Sequence, residues 1–177
     1  MIYLYKDLTK LGKNDFNIKK MVEKKELFMV KKGVYSTTHE FNELEYLSKK
    51  HPNIIFTLQT ACYCYGLLKQ NSIPYYVVTK QKDRKIKDEN VKQIFMTDEL
   101  YSIGMNKVKY LGFDIQIYDL ERTICDIIRD RNKIDLQIFN QAINEYMKRK
   151  DKNLIALYKY AKVFKLENII KIYMEVL

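Results

Sequence analysis

KDLTKLGKNDFNIKKMVEKKELFMVKKGVYS, residues 6–36, is the stretch on which the reading of the whole chain turns. Lys6 to Leu11 has the length of a short helix, and Gly12 is the residue type that most readily leaves a helix through a left-handed backbone. Asn14 is placed to cap a second helix that continues to about Lys25. A short helix, a tight turn and a longer helix make the helix-turn-helix pattern. Ile18, Met21, Val22 and the stem of Lys25 recur at helical spacing and should face inward. Lys13, Asn17, Lys20 and Lys24 form a polar stripe roughly 120° around the axis. Beyond the helix, Leu27–Val30 and Val34–Tyr35 are β-prone runs on either side of Lys31-Lys32-Gly33, where glycine permits a hairpin turn. The expectation is a basic wing.

Charge is concentrated in the same place. The chain has 177 residues, with 32 Lys and Arg against 22 Asp and Glu, a net charge of +10. Residues 1–36 hold nine lysines and four acids, half of that excess in a fifth of the length. Such a cluster is the electrostatic footprint expected of a nucleic-acid-binding surface. With 47% hydrophobic and 31% charged residues, the composition is that of a folded chain rather than a disordered one. No run approaches the roughly 18 apolar residues that span a bilayer, and the N-terminus has no signal-peptide core, so a cytoplasmic protein without membrane contact is expected. Cys62, Cys64 and Cys125 are too few for a disulfide framework and lack the partners of a zinc site, and so read as structural thiols. His39 and His51 read as surface residues. The glycines are isolated, which leaves no phosphate-cradling loop, and neither metal nor cofactor is expected.

After residue 36 the pattern becomes α+β. Thr37 and Glu40 have capping-box spacing for a helix through about Lys49, with Phe41, Leu44 and Leu47 inward and His51-Pro52 as its stop. Ile54–Leu58 reads as a strand, Thr60–Lys69 as a helix and Tyr75–Thr79 as a further strand. Lys80–Asn90 reads as a charged hairpin connection open to phosphate contact. Lys107–Tyr110 and Phe113–Tyr118 flank Leu111-Gly112 as a second hairpin. From Asp119 onward four helices are expected, with Leu120, Ile124, Ile127 and Ile128 on the first, Leu136, Phe139, Ala142, Ile143 and Tyr146 on the second, Leu154, Leu157, Tyr158 and Ala161 on the third, and Ile169, Ile170, Tyr173 and Leu177 on the fourth. The expected fold is thus α+β, with a winged helix-turn-helix at 1–36 followed by an α+β domain at 37–177, built from a small mixed sheet and a C-terminal helical cluster.

Two groups of residues could carry chemistry beyond the basic stripe. Glu121, Arg122, Asp126, Arg129 and Asp130 contain carboxylates that could hold a cation or exchange protons. Arg122, Asp126 and Arg129, however, follow the spacing of a helical ion-pair ladder, which needs no metal. Tyr63, Tyr65, Tyr75 and Tyr76 could stack on bases but also suit the edge of a core.

The succession of a basic helix-turn-helix, the Gly33-Val34-Tyr35 wing, the segment Thr60–Leu67, the run Tyr118-Asp119-Leu120-Glu121-Arg122-Thr123-Ile124-Cys125-Asp126 and the tail Tyr158–Leu177 resembles the AbiEi family of antitoxins. These are transcriptional regulators from type IV toxin–antitoxin, or abortive infection, systems that defend bacteria against phage. The resemblance implies a winged helix that binds operator DNA and represses its own operon. It also implies a C-terminal antitoxin domain that counters a nucleotidyltransferase-like toxin without requiring a stable complex. The chain starts at the strand-like Ile2–Tyr5, where many members have a further helix.

On this reading Lys13, Asn17, Lys20 and Lys24 meet the major groove, with Asn17 the base reader, while Lys31 and Lys32 hold the flanking backbone. Two copies on inverted repeats of double-stranded operator DNA are expected. Glu121, Arg122, Thr123 and Asp126 are the motif residues of the antitoxin domain and read as structural, and no enzymatic activity is expected. The alternatives are a protein-interaction module acting on the toxin or its target without DNA binding, and a nucleic-acid-processing enzyme using the Glu121 and Asp126 carboxylates.

Overall fold

The computed structural model describes residues 1–70 and 73–176, with the backbone alone for 174–176. Leu177, expected on the last apolar helix face, lies outside the described residues. The chain is α+β and forms two compact units, Met1–Asn53 with Lys109–Ile115, and Ile54–Val108 with Gln116–Leu177.

The first unit opens with β1 (Ile2–Leu4), α1 (Tyr5–Lys10) and α2 (Asp15–Glu23), then β2 (Phe28–Lys31) and β3 (Val34–Ser36). Its three strands lie in the order β1-β3-β2, with both pairings antiparallel. Asp7 accepts a hydrogen bond from the Leu4 backbone N–H at 3.0 Å at the start of α1. Asn14 and Asn17 cap α2 reciprocally, each side-chain oxygen accepting from the other's backbone N–H at 2.9 and 3.2 Å. Leu8, Ile18 and Leu27 form the small core beneath, with Tyr3, Met21, Val22 and Tyr35 packed against it.

The Thr37/Glu40 helix start is corrected. Helix α3 runs over Glu43–Lys50, because Asn42 Oδ1 accepts from the N–H groups of Leu44 and Glu45 and sets the cap there. The preceding residues are held as a turn instead, with the Ser36 and Thr38 hydroxyls donating to the Glu40 carbonyl. Buried Glu45 accepts from Ile2 N–H at 2.7 Å, which ties α3 to β1. A division at residue 36 therefore falls inside the first compact unit, which extends to Asn53.

The five-stranded mixed sheet has the order β6-β5-β4-β8-β7, from β4 (Ile55–Phe56), β5 (Tyr75–Lys80), β6 (Val91–Met96), β7 (Met105–Tyr110) and β8 (Phe113–Tyr118). Strand β4 pairs antiparallel with β5 and parallel with β8, and β5 pairs parallel with β6. The charged segment 80–90 is consequently a crossover rather than a hairpin. Gln93 fastens it by accepting from Ile86 N–H at 2.7 Å and donating to the Arg84 carbonyl and the Thr79 hydroxyl. At the other end, Leu111 and Gly112 both take positive φ, the geometry of a two-residue hairpin turn.

Among the described residues, five α-helices complete the second unit besides the single turn α5 (Asp98–Tyr101). Helix α4 covers Leu58–Cys64 rather than 60–69, since Gly66 at φ +74° closes it with Leu67 N–H donating to the Cys62 carbonyl at 2.8 Å. The four expected C-terminal helices are α6 (Leu120–Arg129), α7 (Leu136–Lys148), α8 (Leu154–Phe164) and α9 (Glu167–Val176). Cys62, Ile124, Ile127, Ala142, Tyr146, Leu157 and Ala161 are buried in the core they share.

Of the two glycines in this unit, Gly104, between α5 and β7, leaves no room for a side chain, whereas Gly66 has nothing within 4 Å. Its φ is +73°, and a Cβ there would lie 2.8 Å from Arg122 Cβ and 3.1 Å from the Tyr160 hydroxyl. Gly104→Ala should therefore cost well over the ~1 kcal/mol of a positive-φ substitution alone. Gly112→Ala, with nothing within 4 Å of the added carbon, should show only that backbone cost. Urea denaturation of the two variants measures the difference; equal losses would remove the steric argument.

Candidate nucleic-acid interface

Helix α2 is amphipathic as read. Ile18 is buried, Met21 and Val22 are half-buried, and Asp15, Phe16, Lys19, Lys20 and Glu23 face solvent. Lys20 and the capping residue Lys24 lie exposed on the outer side, while Lys13 sits in the turn before the helix and not on its stripe. Lys32 is exposed at the β2–β3 turn, beside Gly33 at φ +71°. Lys19 and Phe16, the latter 71% exposed, join this surface although the apolar periodicity gave no reason to single them out.

Two of the residues expected to meet DNA are otherwise engaged. Asn17 spends its side-chain oxygen on the Asn14 backbone N–H, so only its amide N–H₂ is left to meet a base. A bidentate grip on adenine needs both atoms. Lys31 is turned onto α3. Its ammonium lies 2.8 Å from Glu43 Oε1, 4.7 Å from the Phe41 ring centroid and 4.6 Å from that of Tyr46. The wing lysines thus divide, Lys31 fixing β2 to α3 and Lys32 facing outward.

The motif residues of α6 form a separate, internal group. Asp119 caps the helix by accepting from Arg122 N–H at 2.8 Å and also accepts from the Tyr160 hydroxyl. Arg122 is completely buried. Its Nε donates to Asp126 Oδ2 at 3.1 Å, and its Nη1 to the carbonyls of Ile103 and Leu100 at 2.9 and 3.3 Å. The guanidinium is sandwiched by Tyr118 and Phe164, 4.2 and 4.1 Å from their ring centroids. Asp126 Oδ2 also accepts from Thr57, and Arg129 stands 3.0 Å from Oδ1, close enough for ion pairing but without hydrogen-bond alignment. Burial pushes the Asp126 carboxyl above the usual carboxylate range, against the opposing pull of the two guanidiniums.

The other motif carboxylate is spoken for as well. Glu121 Oε1 accepts from Asn153 N–H at 2.8 Å and from the Tyr146 hydroxyl at 3.4 Å, joining α6 to the start of α8 and the end of α7. Thr123 donates to the Tyr118 carbonyl at 3.2 Å. These bonds make the group an internal brace rather than a site open to substrate. Burial pushes the thiols of Cys64 and Cys125 up to about 12 and that of Cys62 higher still. No described helix is long and apolar enough to cross a membrane.

Set against models of known protein families and against curated proteins, the chain matches none of them.

Replacing Arg122 tests the brace. Arg122→Ala leaves Asp126 buried with one ion-pair partner and strands two carbonyls, and should destabilise the second unit by about 3–5 kcal/mol. Arg122→Lys should recover only part of this, since an ammonium has neither the fork that reaches Asp126 and both carbonyls nor the flat face that fits between two rings. Wild-type urea stability of the Lys variant would show that only charge matters.

Proposed function

We propose that this protein is a cytoplasmic DNA-binding regulator of the AbiEi antitoxin type, its first unit acting as a winged helix on the promoter of its own operon. The observation that carries the reading is the pairing of two solvent-facing basic features in one compact unit. One is α2, with Lys19, Lys20 and Lys24 exposed; the other is the β2–β3 turn, with Lys32 exposed. A helix of this kind suits the major groove, and a basic turn suits the neighbouring phosphates. The buried hydrogen bonds of Glu121, Arg122 and Asp126 support a C-terminal unit that acts as a folded body, in keeping with an antitoxin domain that counters a nucleotidyltransferase-like toxin. Two copies on inverted repeats would supply the buried area a single small module lacks.

The second reading, a protein-interaction module, draws on one observation. Helix α8 leaves Ile155, Tyr158 and Val163 at 73%, 47% and 46% exposure, more apolar surface than one helix face ordinarily gives to water.

A mobility shift with the DNA immediately upstream of the reading frame separates the two. Specific retardation is expected, and Lys20→Ala with Lys24→Ala should make the slope of log K against log[salt] shallower by about 0.9 for each phosphate that is no longer neutralised. Lys32→Ala should behave likewise. Lys31→Ala should lower the melting temperature and leave the slope alone, because its charge is spent on Glu43. Asn17→Ala should weaken binding to cognate more than to scrambled DNA if its free amide reads a base. Absence of specific retardation, or a slope indifferent to Lys20 and Lys24, would leave the interaction-module reading.

A further inference from the structure

The first turn of α2 leaves a phenyl ring in water. Phe16 is the second residue of the helix and is 71% exposed, whereas Ile18, two residues on, is 3% exposed. Two residues of helix turn through about 200°, so Phe16 points almost directly away from the core that Ile18 enters. Among the described residues its ring stacks on no other aromatic ring. Packing within the unit does not account for an aromatic residue at this position.

Its neighbours on that face are the residues read above as meeting DNA. Lys20 lies about 40° around the axis from Phe16, Lys24 about 80° and Asn17 about 100°, and both lysines are exposed. The arc thus begins at an apolar ring and ends at an amide whose oxygen is spent on the Asn14 N–H, which leaves only its donors. Asp15, the carboxylate next to the ring, accepts from the Tyr5 hydroxyl at 2.5 Å and is tied by it to α1. In helix-turn-helix docking the N-terminal residues of the second helix reach the base edges. The faces of duplex bases are closed by stacking, and along the major groove the edges present one apolar group, the C5-methyl of thymine. On the same base pair, thymine O4 and adenine N7 are acceptors that suit the Asn17 N–H₂.

We propose that Phe16 reads a thymine of the operator, its ring covering the C5-methyl group in the major groove, with Asn17 donating to an acceptor of an A·T pair. This inference rests on the DNA-binding reading and adds to it a base preference that phosphate contacts do not supply. A contact between two copies, or a wedge between base steps, would also use an exposed ring, but neither needs a methyl group on the base.

The test compares two versions of the DNA immediately upstream of the reading frame, one with thymidine and one with deoxyuridine in its place, in mobility shifts with the full chain. The exchange removes the methyl group and keeps O4 and the base pairing. Wild-type protein is expected to bind the uridine version about fourfold more weakly for one methyl covered, the effect of burying a single methyl-sized group, and about sixteenfold more weakly where two copies share the site. Phe16→Ala should bind the thymidine version as weakly as the wild type binds the uridine version, and should not distinguish the two. Phe16→Leu, which keeps an apolar contact, should retain part of the difference. Both variants should melt with the wild type, since the ring is exposed. Specific retardation without a thymidine–uridine difference overturns the proposal and leaves the DNA-binding reading standing, whereas absence of specific retardation overturns both. A difference that Phe16→Ala keeps in full also overturns the proposal: unchanged affinities assign the methyl to another residue, and equal loss on both versions assigns the ring to a contact between copies or to a wedge.

Discussion

The second unit depends on a guanidinium that water does not reach. Removing Arg122 from solvent is tolerable only because its N–H groups meet a carboxylate and two carbonyls while its faces meet two aromatic rings. Each partner comes from a different part of the chain: Asp126 from the next helical turn, Leu100 and Ile103 from α5 and the residues after it, Tyr118 from β8, and Phe164 from α8. One side chain thus fixes how strands and helices stand within the unit. Gly104 belongs to the same arrangement, because any larger residue there would occupy the space of the Arg122 stem.

Among the described residues the first unit has no equivalent, fully buried charge pair, and its order comes from shorter-range devices. The Asn14–Asn17 cap starts α2, the three strands share backbone hydrogen bonds, and Glu45 reaches back to the Ile2 backbone. Beneath α1 and α2 the buried apolar cluster is small, formed by Leu8, Ile18 and Leu27, while Ile2, Leu44 and Leu47 are buried elsewhere in the unit. Interactions such as that of Lys31 with Glu43 and two rings count for more in such a unit than they would in a larger one.

Much of this was legible because it is local. Apolar spacing marked α2 and the four C-terminal helices, and Asn14, Gly12 and Leu111-Gly112 marked ends and turns through their own backbone preferences. What escaped the sequence depends on partners far along the chain. The Thr37/Glu40 spacing was as good a helix start as Asn42, but hydroxyl bonds to the Glu40 carbonyl commit that segment to a turn. Strand β6 lacks a clean two-residue alternation, since Val91, Gln93 and Ile94 are half-buried on both faces of a sheet edge. Within the candidate interface Lys31 and Lys32 are the same residue type in adjacent positions and both exposed, and only the fold separates the one that meets Glu43 from the one that faces outward. The total burial of Arg122 was likewise invisible to helical spacing, which describes a ladder equally well on a surface or in a core.

The parallel pairing of β5 with β6 constrains the order of assembly. Tyr75 faces Val91 and Lys80 faces Met96, so every rung of this ladder joins residues sixteen apart. A hairpin such as β7–β8 can begin at its two-residue turn and zip outward, each rung closing little new chain. Here no rung is nearer than another, and the first one formed must bear the whole loop-closure entropy of the crossover. The β7–β8 turn can therefore organise from local sequence alone, whereas β6 gains its place only once β5 is aligned to receive it. Whatever surface β6 contributes therefore rests on β5 lying beside it, in a ladder that no local turn can start.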